Sequence, residues 1–146
     1  MRKRYHGYKG SIAADRSAIV TDYRFSDAAP PDSNFIDELT AGEKKMVVAD
    51  SAYRSVEREA ALERRGVICA LMFKRQRGQQ ELPPLLKRLN KMIAPIRAAV
   101  EHPFAWIKNM GHRRVRYRGR RRNEFDFGLM LVAYNWKRSL SLTGAK

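Results

Sequence analysis

Two short apolar runs constrain this chain more than any other feature. Lys45-Met-Val-Val-Ala-Asp50 and Val67-Ile-Cys-Ala-Leu-Met-Phe73 have the pattern of buried strands, and the first ends in an acid, as a strand does when it delivers a side chain to the edge of a sheet. Between them Ser55 can cap a helix whose first turn holds Glu57 and Glu59, which suits the helix dipole, and Gly66 ends that helix after Arg64 and Arg65. Strand, helix, strand implies an α/β arrangement with at least partly parallel strands.

The flanks supply the remaining elements. Tyr8 to Ala14 and Ala18 to Phe25 alternate apolar and polar residues, with Ile19, Tyr23 and Phe25 on one side, as a β-hairpin does. Pro30 and Pro31 cannot donate ladder bonds, so the chain leaves the sheet there, and Asp32 or Ser33 can cap a short helix ending near Gly42. Lys74 to Gln80 is a polar loop, and Pro83 and Pro84 suit the opening of a helix packed through Leu85, Leu86, Leu89 and Ile93. Pro95 is expected to bend or interrupt that helix, and Pro103 to kink the helical stretch around Glu101. Asn123 predicts the cap of a final helix with Glu124 and Asp126 in its first turn, docked on the core through Phe125, Leu129, Val132, Trp136 and Leu140. Trp136 is therefore assigned to the core.

Charge narrows the partners. The 146 residues hold 30 Lys and Arg against 15 Asp and Glu, a formal charge of +15, so a polyanion is the first candidate. No run approaches a membrane span and Met1-Arg-Lys-Arg-Tyr-His6 lacks a signal peptide's apolar core, so a cytoplasmic protein with no membrane partner is expected. Cys69 lies inside an apolar run and is read as a small hydrophobe, and His6, His102 and His112 fit no zinc spacing.

Within that charge one acid stands out. If Arg97 to Lys108 is helical, Ile96, Val100, Phe104 and Ile107 form an apolar stripe, and Arg97, Glu101 and Lys108 fall within about 40° of one another beside it. Spacing alone is equally met by a surface Arg97–Glu101 ion pair. Asp50 alone reads first as a turn or cap aspartate. Between Lys108 and Arg122, eight of fifteen residues are Lys or Arg, far denser than a solvated face needs, which points to phosphate binding. Arg113, Arg114, Arg116, Arg118, Arg120, Arg121 and Arg122 are the candidate phosphate-binding residues, and Tyr117 can stack on an unpaired base or pack.

The order R-x3-E-x6-K over Arg97, Glu101 and Lys108, the word Asp50-Ser-Ala-Tyr53 after an apolar strand, and Arg116-Tyr-Arg-Gly-Arg-Arg-Arg-Asn123 together resemble the DDE transposases of bacterial insertion sequences, in the insertion-sequence-five group. Ala94 stands where that pattern has a Tyr. The resemblance implies a ribonuclease-H-like α/β fold, a mixed sheet flanked by helices. It makes Asp50 and Glu101 ligands of Mg²⁺ or Mn²⁺, and Arg97 and Lys108 their catalytic neighbours. The family's first acid lies on a central strand upstream of the hairpin that matches Tyr5 to Asp15, and Asp15 and Asp32 match other positions, so the first strand and its Asp are expected to be lacking. The expected organisation is one truncated catalytic domain, 1–146. Residues 1–50 would give the hairpin, short helix and Asp strand; 51–83 a helix, strand and basic loop; and 84–146 the Glu-bearing helix, basic segment and final helix.

The resemblance thus implies the carboxyl-terminal part of a DNA transposase, incomplete alone, acting on transposon ends and target DNA, with self or full-length transposase as protein partners and no small-molecule substrate. A truncated remnant and the second frame of a frameshifted transposase both remain open. The alternative from another class is a non-enzymatic DNA-binding protein that regulates or inhibits transposition. A small ribosome-associated protein explains the charge but not the surroundings of Asp50 and Glu101.

Overall fold

In the computed structural model, which describes residues 7–31, 34–42, 45–75 and 77–144, the alternation at the start of the chain becomes an antiparallel hairpin of β1 (Tyr8–Ala14) and β2 (Val20–Asp27). Its turn is built by Asp15, whose carboxylate accepts the Ser17 and Ile19 N–H groups at 2.9 Å each. Ala18 is held there at φ +62°, in the left-handed region that a Cβ disfavours. The helix α1 (Ile36–Leu39) comes next, and its expected caps Asp32 and Ser33 lie outside the described residues. It stops short of Gly42, with turn residues between.

The two apolar runs pair as expected. β3 (Met46–Ala49) and β4 (Ile68–Leu71) are parallel, in register from Met46 opposite Ile68 to Ala49 opposite Leu71, and α2 (Val56–Arg64) crosses between them. Ser55 caps α2 by accepting the Arg58 N–H. Val47, Leu62 and Val67 form a small core with Cys69 against it, and burial raises the Cys69 thiol pKa. In place of the expected mixed sheet, the described residues form two two-stranded sheets, β1–β2 and β3–β4.

The helix α3 (Pro84–Ala98) runs through Pro95 to Ala98. The expected kink at Pro103 is replaced by a break, Ala99–Val100, after which α4 (Glu101–Asn109) starts afresh. Pro103 thereby falls in the first turn, where its missing N–H is one the helix would leave unpaired anyway, and its ring is fully buried.

The helix α5 (Arg120–Thr143) departs most from expectation. It starts three residues before Asn123, which lies inside the helix and is 3% exposed, so the expected cap is wrong. The stripe assigned to the core faces solvent: Phe125 is 69%, Val132 65% and Trp136 71% exposed, with Leu129 and Leu140 also exposed. The face that docks carries Phe127, Met130, Leu131 and Tyr134, joined by Ile12, Val20 and Ile107. Gly10 and Gly128 permit that contact, because a Cβ at Gly10 would lie 2.4 Å from the Phe127 ring and one at Gly128 2.7 Å from the Tyr23 hydroxyl. The core indole is Trp106, packed on Tyr134 with ring centroids 5.9 Å apart.

The chain divides into two compact units. One comprises the described residues up to Phe35 and from Ala99 onward, and the other is Ile36–Ala98. Among the described residues no helix is long and apolar enough to cross a membrane.

Candidate functional site

Glu101 opens α4, where the helix dipole favours a carboxylate. The helix buries Pro103 and Ile107 and turns the other face, Glu101, Phe104, Ala105, Lys108 and Asn109, toward a cleft of about 750 Å³ that His112 and Arg113 complete. The 3.6-residue period thus brings Glu101 and Lys108 to one cleft, as their spacing predicts. Arg97 is not on that helix: the break at Ala99–Val100 leaves it in the last turn of α3, in the other unit.

The end of α4 is closed by backbone bonds. Gly111, at φ +85°, donates to the Lys108 carbonyl and His112 to the Ile107 carbonyl, 3.2 and 3.1 Å, the paired 5→2 and 6→1 bonds of a Schellman motif. His112 is thereby set at the cleft wall, its side chain 12% exposed and its Nδ1 3.3 Å from Asp126 Oδ2 on α5. Sequence reasoning weighed His112 only as a zinc ligand and Asp126 only as a first-turn acid. The signal that could have found the pair was Gly111, which marks the helix end and so fixes the position of the next residue.

Beyond the cleft the basic segment is continuous and open. Arg113, Arg114, Arg116, Tyr117, Arg118, Arg120, Arg121 and Arg122 are all exposed. Asn123 holds this loop from beneath: its amide accepts the Tyr117 N–H at 3.1 Å and donates to the Tyr117 and Gly119 carbonyls at 2.7 and 2.8 Å. Arg120 to Arg122 also occupy the first turn of α5, which has no acid and no side-chain cap at Gly119. The dipole opposes cations there and favours an anion, so a bound phosphate would relieve both.

Asp50 stands exposed at the carboxyl end of β3. Its Oδ1 accepts the Ser51 N–H at 2.6 Å and caps the 3₁₀ turn Ser51–Tyr53, so the cap reading holds locally. Asp50 and Glu101 belong to different units. Both are oxygen donors of the kind hard divalent ions take. Among the described residues no three or more His, Cys, Asp or Glu gather into a metal-binding group.

Residues 2–136 match the family of the transposase DDE domain, which covers nearly the whole chain, and the protein belongs to that family. No solved structure matches the chain. Membership implies a transposase role, DNA as partner and the divalent-ion use general in the family. The mixed α/β architecture accords with it.

Proposed function

We propose that the chain is the downstream catalytic portion of an insertion-sequence transposase of the insertion-sequence-five group, and that it acts in metal-dependent strand cleavage and transfer at transposon ends. The observation that carries this is one cleft holding Glu101 and Lys108 in a family member whose exposed arginine segment begins at the cleft wall with Arg113. Asp50 and Glu101 would hold Mg²⁺ or Mn²⁺, which when bound supplies charge stabilisation for the attacking and leaving oxygens. Lys108 and Arg97 neutralise phosphate, Arg113 to Arg122 hold the duplex backbone, and Tyr117 stacks or packs beside it. The family's first acid would be supplied by another segment, since Asp15 matches a different position, in the hairpin turn that its carboxylate closes, and the isolated chain should then cleave poorly.

A nicking assay with Mg²⁺ or Mn²⁺ tests this. The chain alone should show no useful cleavage, and fusion to a segment bearing an apolar strand ending in Asp should restore it. Glu101→Gln or Asp50→Asn in the fusion should abolish nicking while DNA binding persists. Robust cleavage by the chain alone, or an active Glu101→Gln fusion, would reject the assignment. Binding should also weaken steeply with salt: about five neutralised phosphates give a log–log slope of roughly −4 to −5. A second reading, a non-enzymatic DNA-binding protein that inhibits transposition, is favoured by the use of Asp50 as a local cap and predicts inactivity in the fusion as well.

A further inference from the structure

Two helices of this protein end in the same way and put different residues in the same place. At the end of α2, Gly66 donates to the Glu63 carbonyl and Val67 to the Leu62 carbonyl, 2.8 and 2.9 Å. Val67 then packs against Leu62 in the core, the apolar contact that usually accompanies this motif. At the end of α4 the residue corresponding to Val67 is His112. An imidazole in a position normally closed by a hydrophobe needs a polar partner, and Asp126 from α5 supplies it at Nδ1. A carboxylate on one ring nitrogen fixes the orientation of the ring and leaves Nε2 as the nitrogen for a ligand. The cleft that His112 lines also holds Lys108 and Arg113, and Glu101 as its acid.

We propose that His112, held by Asp126, binds a non-bridging phosphate oxygen of a DNA strand in the Glu101 cleft. His112 is the binding residue and Asp126 the positioning residue. The inference rests on the transposase reading for its ligand. The neighbouring cations favour an anion, and the arginine segment beginning at Arg113 continues the same electrostatic path along a backbone.

The sign of the Asp126 effect separates this role from general electrostatics. Removing an acid from a DNA-binding surface should by charge alone tighten binding, whereas loss of the His112 support should loosen it. The experiment measures equilibrium binding of the full chain to a 30-base-pair duplex across a salt series, for wild type, His112→Ala, Asp126→Ala, the double variant and Arg116→Ala/Arg118→Ala, with inorganic phosphate as competitor. His112→Ala and Asp126→Ala should each weaken binding roughly tenfold, the scale of one charge-assisted hydrogen bond. The double variant should be no weaker than either single one, because both remove the same contact. His112→Gln, whose amide can still donate, and Asp126→Asn, whose amide oxygen can still accept, should recover most of the affinity and guard against misfolding in the alanine variants. Competition by millimolar inorganic phosphate at constant ionic strength would mean a free-phosphate site and overturn the DNA assignment. Unchanged or tighter binding by Asp126→Ala, or additive losses in the double variant, would overturn the proposal while leaving the transposase reading intact if Arg116→Ala/Arg118→Ala still flattens the salt slope. A wild-type chain that does not bind the duplex would overturn both.

Discussion

The two faces of α5 invert the usual division between core and surface. The face richer in large hydrophobes, Phe125, Leu129, Val132, Trp136 and Leu140, is exposed. The docked face mixes Phe127, Leu131 and Tyr134 with polar groups that satisfy the hairpin backbone. The Asn135 amide accepts the Val20 N–H at 2.9 Å and donates to the Val20 carbonyl at 2.8 Å. The Tyr134 hydroxyl donates to the Ala18 carbonyl at 2.8 Å, and Arg138 Nε to that of Ser17 at 2.7 Å. A helix that packs against a turn and a strand end meets unpaired backbone groups, and an all-apolar face would leave them buried without partners.

The largest test of that contrast is Leu131→Ala. Leu131 is buried in the core with Ile12, Val20, Ile107 and Tyr134, so the substitution should cost about 2–5 kcal/mol, read as a fall in the urea midpoint at unchanged slope. An effect near that of a surface change would mean α5 does not dock through this face. Asn135→Ala comes next, at about 1–3 kcal/mol, because two Val20 backbone groups lose their partner. Hydrogen exchange at the Val20 amide should accelerate more than at the strand centre.

The same contrast explains what the sequence revealed. Short apolar runs made β3 and β4 legible, although the strands are less buried than such runs imply: Val47 and Leu71 are their buried residues and Ile68 is 65% exposed. Ser55 and Gly66 bounded α2 by local chemistry. The shared cleft of Glu101 and Lys108 comes from helical period alone. The break at Ala99–Val100 does not, since Pro103 is compatible with either a kinked helix or a new first turn, and the structure has the second, with the ring buried. Asn123 and Asn135 look like a cap and a surface residue in one dimension. Their work is to hold backbone at Tyr117, six residues away, and at Val20, 115 residues away, and no periodicity encodes a bond of the second kind. For His112 the helix end marked by Gly111 is legible, whereas its pairing with Asp126 across to α5 is not.

Tyr134→Phe should cost about 1 kcal/mol, the net worth of its hydrogen bond to Ala18, and should change the alkaline limb of stability. Burial raises the Tyr134 pKa above the ordinary value of about 10, so the folded chain keeps the phenol protonated where the unfolded chain loses the proton. That contribution is intact below about pH 10 and is lost as pH rises through the folded value. The Phe variant should lose less stability over that window, and parallel curves for the two proteins would contradict the buried hydroxyl.

The smallest expected effect falls on the largest side chain. Trp136→Ser removes an indole that is 71% exposed, so stability should change by no more than about 0.5 kcal/mol, against the several kcal/mol that truncation of a core tryptophan costs. The chain has two tryptophans, which makes the test optical as well as thermodynamic. Trp106 is half-buried against Tyr134, with the Lys137 ammonium 6.0 Å from its ring centroid. In Trp136→Ser it remains the only indole reporter. Loss of the water-exposed emitter should shift the native emission maximum to the blue, and the urea midpoint followed through Trp106 should coincide with that from far-UV circular dichroism. A large loss of stability would mean that the apolar stripe of α5 is covered in solution. A dependence of that loss on protein concentration would then assign the cover to a second copy of the chain, because only association makes stability vary with concentration.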